Sequence, residues 1–289
     1  MFICPVSILV LKSLSTIKCN SACGPDRMSP RLLFMLKQTL SIPLALVFGA
    51  LFRESILPRQ WLEAIISPIF KKGLTSDPSN YRPISLTCIA CRVMEKIIKD
   101  VILKYLFDYK LINRSQHGFL ARHSTVSQLL ECTNDWTISM TSRKVTDCVY
   151  VDFKRAFDVV SHQKLLTKLI AYGIDGLLLE WIRSFLSNRL QFVSVNCNLS
   201  TPCAVNSGVP QGSVLGPILF LIFINDVCDI ANGTLQTVQY LQNYLLMILR
   251  SILKLLTTQI VLNCKFAFPG CRNGLLSGKW TLHLINVIR

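Results

Sequence analysis

Apolar positions along this chain change their period several times, and each change predicts an element. Between Cys91 and Phe107, residues Met94, Ile97, Ile98, Val101 and Tyr105 fall three and four apart, which predicts an amphipathic helix. Residues 31–52, after the turn "CGPDRMSP", are apolar enough for one or two helices. "WLEAIISPIFKKG" (61–73) predicts a short strand that ends in two lysines and a glycine. "SDPSNYRPISL" (76–86) predicts a Pro- and Asn-rich turn leading into an extended segment. Ser124 or Thr125 suits the N-cap of a further helix through about Met140. In "VYVDFKRAFDVV" (149–160), Val149 and Val151 alternate with Tyr150 and Asp152, so a buried strand is expected over about 147–153. Helices follow near 161–171, with Ser161 as cap, and over about 175–187. "QFVSVN" and "CAVNSG" predict the two arms of a hairpin (190–207). "GVPQGSVLGP" is a glycine-rich loop, and Pro217 fits the first turn of an apolar helix over 217–226.

Composition adds a class of partner. The chain has 289 residues, half of them hydrophobic, enough for a substantial core. Lys and Arg outnumber Asp and Glu by 31 to 16, a formal charge of +15. Such an excess points to a polyanion, nucleic acid first and anionic membrane second. The 12 cysteines include one C-x-x-C, Cys88 and Cys91, without a second pair or a His pair at zinc spacing. A reducing, intracellular setting is expected, nucleus or cytoplasm alike. "MFICPVSILVLKSL" has no basic start and no small-residue cleavage site, so no signal peptide is expected. The apolar runs 41–52 and 214–224 are too short to span a bilayer, and 245–262 carries Arg250 and Lys254, so no membrane span is expected.

Candidate chemistry begins with Asp152. A carboxylate at the tip of a buried strand is costly unless it is paired or bound to a cation. It either bridges to a base such as Lys154 or Arg155, or ligates a hard metal such as Mg²⁺. Phe157, in the turn after the strand, is either a core aromatic or a wall beneath the sugar of a nucleotide. Arg82 and Lys71 or Lys72 stand at strand–turn edges, where long cationic side chains reach phosphate oxygens. In "SGVPQGS", Gly208 and Gly212 let backbone approach a ligand closely, and Gln211 offers a donor and an acceptor between them.

Taken in order, "GPD…WLEAIISPIFKKG…NYRPISL…QHGFLARHST…VDFKRAFDVV…SGVPQGSVLGPILFLIFIND" resembles the reverse transcriptase domain of non-LTR retrotransposons of the jockey or related type, from about Gly24 to Asp226. That resemblance implies an α+β, right-hand polymerase fold, with fingers and an antiparallel palm sheet. It implies template-directed nucleotidyl transfer by two Mg²⁺ ions, with RNA template, DNA primer and dNTPs as partners and no obligate protein partner or membrane. By the same resemblance, Asp152 and the backbone of Phe153 hold metal, and Phe157 is the gate against ribonucleotides. Arg82 and Lys71 grip the triphosphate, and Gln211 packs on the incoming nucleotide.

The resemblance breaks where an aromatic–Ala–Asp–Asp hairpin is expected. The region reads "TLQTVQYLQNYLLM" (234–247), with Leu241, Gln242 and Asn243 after Tyr240. Residues 230–289 contain no Asp or Glu, where an average chain would place about seven in sixty. The expectation is therefore a degenerate, truncated copy whose reading frame shifted near residue 240. No endonuclease domain is expected before Gly24, and the thumb is expected to be missing or degenerate. The expected organisation is a helical lead-in (1–60), a fingers and palm domain (61–248) and a basic tail (249–289). The competing readings are a nucleic-acid-binding protein without catalysis and a membrane-associated basic protein using the amphipathic segment 245–262.

Overall fold

A computed structural model describes residues 3–143, 148–153, 155–227, 248–249 and 282–288. They belong to two compact units, each built from two separate stretches of chain. The first comprises Met1–Tyr109 and Val160–Phe220, the second Lys110–Val159 and Leu221–Arg289.

The first unit opens with a helix the apolar pattern had not marked, α1 (Ile3–Leu14). It packs against α3 (Lys37–Glu54), which follows the short α2 (Pro30–Met35), and it buries Val10 and Leu14 completely. Gly24, in the turn between α1 and α2, lies on the backbone of Thr87 and Cys88. A Cβ there would stand 2.6 Å from Cys88 N, so only glycine fits.

After the one-turn α4 (Arg59–Leu62), β1 (Glu63–Phe70) and β2 (Tyr81–Leu86) form an antiparallel hairpin. β1 also pairs in parallel with β4 (Arg189–Val195), which pairs antiparallel with β5 (Asn198–Leu199) and β6 (Cys203–Val205). β2 is the edge of this five-stranded sheet.

The helix α5 (Ile89–Asp108) obeys the expected period, but its buried face is rotated slightly. Val101 is 55% exposed, while Cys91, Met94, Ile98, Ile102, Leu106 and the charged Glu95 are buried. α7 (His162–Ala171) and α8 (Gly176–Leu186) pack together and contribute Leu165, Leu169, Trp181, Ile182 and Phe185 to the core. Trp181 and Phe185, one turn apart, stack with centroids 5.6 Å apart. Burying each of these side chains contributes roughly 1.5–3 kcal/mol. Ser161 caps α7 by accepting the Lys164 N–H, as its position before the helix suggested. α9 (Gly216–Ile224) is apolar all round, as "GPILFLIFI" requires of a helix without a solvated face, and residues 218–224 are all buried. It begins in the first unit and ends in the second.

In the second unit, α6 (Thr125–Thr141) is capped by Ser124, whose Oγ accepts the Ser127 N–H while Ser127 Oγ accepts the Ser124 N–H. Buried His117 has its ring nitrogens 3.1 Å from Ser127 Oγ and 3.0 Å from Glu131 Oε2. Asn225, just past α9, accepts the Asn113 N–H and donates to the Leu111 carbonyl.

β3 (Cys148–Phe153) lies between β7 (Ile248–Leu249), in parallel, and β8 (Leu282–Ile288), antiparallel. The expected antiparallel palm sheet is thus corrected to a mixed one. A parallel neighbour needs a crossover of about a dozen residues or more, and the chain between β3 and β7 far exceeds that. Among the described residues no helix is long and apolar enough to cross a membrane. Tyr240, Leu241, Gln242 and Asn243, and all of 245–262 except Ile248 and Leu249, lie outside the described residues.

Candidate active site

In the first unit the candidate nucleotide residues sit on one edge of the sheet. Arg82 lies on β2 opposite Ile69 of β1, and Lys71 follows the end of β1. The Lys71 N–H donates to the Asn80 carbonyl at 2.8 Å, which closes the hairpin below the two cations. Both side chains are exposed.

Gln211 belongs to the loop 208–216, which runs along the free edge of β2. The Ser85 N–H donates to the Gln211 carbonyl at 2.6 Å, so the loop covers an edge that would otherwise stay open. Gly212 follows at φ +120°, where a Cβ would come within 2.4 Å of the Ser85 carbonyl oxygen. The glycine is therefore required twice, by its backbone angle and by its closeness to β2. Arg82 and Gln211 are thereby tied to one strand, a pairing the sequence order alone does not give.

The rest of the loop is held as firmly. The Gly208 N–H donates to the Val160 carbonyl at 2.8 Å, and His162 Nε2 lies 2.7 Å from the Gly208 carbonyl oxygen. Ser213 Oγ donates to the Pro210 carbonyl and accepts the Gly216 N–H. From beneath, Glu95 Oε2 accepts the N–H groups of Val214 and Leu215 at 2.8 and 2.9 Å.

Glu95 has no exposed surface, and Cys91 donates to its Oε1 at 3.5 Å. Burial pushes the Glu95 carboxyl above the usual carboxylate range, against the pull of the Leu215 N–H and the Arg189 guanidinium. Arg189 is itself 3% exposed and donates to the Phe185 and Trp61 carbonyls, with its guanidinium 4.9 Å from the Phe185 ring centroid. Burial lowers the Arg189 pKa for the same reason. Neither Glu95 nor Arg189 figured among the residues picked out by sequence. The available signal was an acid on the stripe Cys91–Glu95–Ile98–Ile102, a place where an unpaired carboxylate is not tolerated.

In the second unit, Asp152 is the penultimate residue of β3, in register with His283 of β8. The β3–β8 register shifts between Tyr150 and Val151, a local irregularity of the ladder. Phe153 ends the strand. Phe157 lies in the turn beyond, half-buried, its ring edge-on to Phe119 with centroids 5.7 Å apart. That placement gives Phe157 an aromatic neighbour, as a core residue or a rigid wall requires.

A pair of Mg²⁺ ions needs several hard oxygen ligands with enough negative charge to balance it. Asp152 is the one acid in β3, and the 60 residues after Asp229 offer none. Among the described residues no cluster of three or more His, Cys, Asp or Glu side chains is placed to hold a metal ion. The described residues do not fit a two-ion centre.

Comparison with known proteins agrees with the motif order. Residues 69–257 match the family described as reverse transcriptase (RNA-dependent DNA polymerase). The chain is 32% identical over 228 residues to the RNA-directed DNA polymerase from mobile element jockey of Drosophila melanogaster, covering 77% of this chain and 25% of that protein. It is 33% identical over 209 residues to the probable RNA-directed DNA polymerase from transposon X-element of the same fly, covering 72% and 23%. The corresponding protein from transposon BS is 29% identical over 225 residues, covering 75% and 24%. The chain thus spans about a quarter of the length of these relatives. The family match takes in the hairpin of Arg82, the strand of Asp152 and the loop of Gln211, and it continues past Tyr240. On that span, the chain belongs to the reverse transcriptase (RNA-dependent DNA polymerase) family, as a domain of the jockey-like non-LTR kind.

Proposed function

We propose that this chain is the fingers and palm of a right-hand RNA-directed DNA polymerase, with its thumb missing or degenerate, in which nucleotide binding outlasts nucleotidyl transfer. Residues 61–248 form the polymerase part, after a helical lead-in (1–60) and before a basic tail (249–289). Arg82 and Lys71 grip a triphosphate, Gln211 packs on the incoming base, and Phe157 stands under the sugar. Asp152 and the Phe153 carbonyl are what this chain keeps of the family's metal site.

One observation carries this reading. The family match takes in the strand of Asp152 and continues past Tyr240, and where the motif resemblance expects an Asp pair the sequence reads Leu241, Gln242 and Asn243. Amide oxygens lend a lone pair to Mg²⁺ but no charge. If each ion stabilises the transition state by several kcal/mol, the loss of one lowers the rate at least roughly a thousandfold. A reading frame altered near residue 240 accounts for both the missing pair and the acid-free stretch beyond it. An aromatic–Ala–Asp–Asp codon run in another frame of the same DNA would support that account, and none in any frame would refute it.

The net charge of +15 supports retained binding of an RNA template and a DNA primer. Primer extension on an RNA template with Mg²⁺ or Mn²⁺, run beside a filter-binding titration across salt, tests the whole. Salt-dependent binding with extension near background is expected, and clear template-dependent extension would overturn the reading.

A further inference from the structure

We propose that Glu95 is a positioning residue for the nucleotide site: its buried carboxyl group, bonded to the backbone of Val214 and Leu215, sets the height of the loop that presents Gln211. The inference rests on the reading of Gln211 as a nucleotide contact.

The geometry isolates Glu95 from ordinary packing. A single oxygen, Oε2, takes two consecutive backbone donors, Val214 at 2.8 Å and Leu215 at 2.9 Å. Those amides precede α9 and have no helical acceptor of their own. The donors lie three and four residues beyond Gln211, and Ser213 ties the segment together by bonding both Pro210 and Gly216. Gln211 itself is fixed to β2, its carbonyl accepting the Ser85 N–H at 2.6 Å. Gln211 is therefore held to a strand edge while the buried acid fixes the chain just beyond it. An apolar side chain of similar volume would fill the space but would leave the Val214 and Leu215 donors without this acceptor. The cost of burying Glu95 is explained if the loop needs a fixed acceptor at that point.

The test uses the full chain bound to an RNA template and a DNA primer lacking its 3′-hydroxyl, so that no transfer is needed. The readout is the stabilisation of that complex against a competitor by the correct dNTP with Mg²⁺. Q211A is expected to weaken the dNTP effect about tenfold, and E95M, which keeps the volume but loses the acceptor, by a similar factor. E95Q, whose amide oxygen still accepts from both donors, is expected to stay within about threefold of the original chain. E95M combined with Q211A is expected to be no worse than Q211A alone, because the two act through one contact.

A folded E95M with an undiminished dNTP effect overturns the inference, as does a double variant whose losses multiply. If Q211A changes nothing, or the original chain shows no dNTP effect, the reading of Gln211 fails and the inference goes with it. Should E95M not fold, hydrogen exchange in the original chain decides. The Val214 and Leu215 amides must exchange as slowly as the Leu219 amide inside α9, and fast exchange at that pair overturns the inference.

Discussion

The loop 208–216 and the strand 148–153 each carry a residue that the family resemblance assigns to the active site, but they are built on different principles. The loop is held by backbone groups. Ser85 and Val160 bond it through main-chain atoms, and its own Val214 and Leu215 amides donate to the Glu95 carboxyl group. Many sequences satisfy such bonds, provided that a few residues such as Gly212 and Glu95 are kept. The strand's contribution would be a charge, and that charge has meaning only beside other charges. On the proposed reading, replacing two acids elsewhere would leave the β3 backbone paired while removing the charges that Asp152 needs beside it. A site made of main chain survives substitution well, and a site made of clustered carboxylates does not.

The largest expected effect breaks the comparison outright. Leu241→Ala, Gln242→Asp and Asn243→Asp together should raise Mg²⁺-dependent primer extension at least roughly a thousandfold. Single-turnover extension measures it, and adding Asp152→Ala should return the rate to background. No gain from the triple change would mean that more than charge was lost.

Gly212→Ala comes next. Its Cβ would press on the Ser85 carbonyl at 2.4 Å from a φ of +120°. A loss of about 2–3 kcal/mol is expected from urea denaturation. A loss below about 0.5 kcal/mol, the usual ceiling for a surface change, would mean that the loop does not rest on β2.

Ser161→Ala removes the α7 cap beside the Val160 carbonyl that receives Gly208. It should lower the unfolding free energy by about 1 kcal/mol. If it also alters dNTP binding by as much as Gln211→Ala does, the cap and the loop are coupled.

The finest discriminator is a slope. Burial raises the Glu95 pKa above 4.5, so the folded chain holds that proton more tightly than the unfolded one. The resulting stability is complete below about pH 4.5 and is lost as pH rises through the folded value. Arg189 and Cys91 face the same group. Glu95→Gln should flatten this part of the stability–pH curve, read as urea midpoints across the range, and an unchanged slope would place the titration elsewhere.

Much of this was legible in the sequence. The period of three and four found α5, alternation found β3, and Ser161 and Ser124 marked helix starts at the observed caps. The motif order identified the family. What stayed hidden depends on long-range partners. Glu95 looks like one solvated charge of an amphipathic helix until residues 119 and 120 positions away supply its donors. β1 reads as half of a hairpin, and nothing local reveals its parallel pairing with β4. The mixed sheet around β3 depends on strands distant in the chain, for which apolar alternation gives a direction but no neighbour.

The C-x-x-C of Cys88 and Cys91 offers a practical handle. Neither thiol has any exposed surface; burial pushes Cys88 up to about 12 and holds Cys91 well above its usual value, so both are poor nucleophiles. Cys197 and Cys203 lie in the open beside β5. A maleimide titration would therefore label that hairpin promptly and spare the helix start, giving an assay of native protein that asks nothing of catalysis.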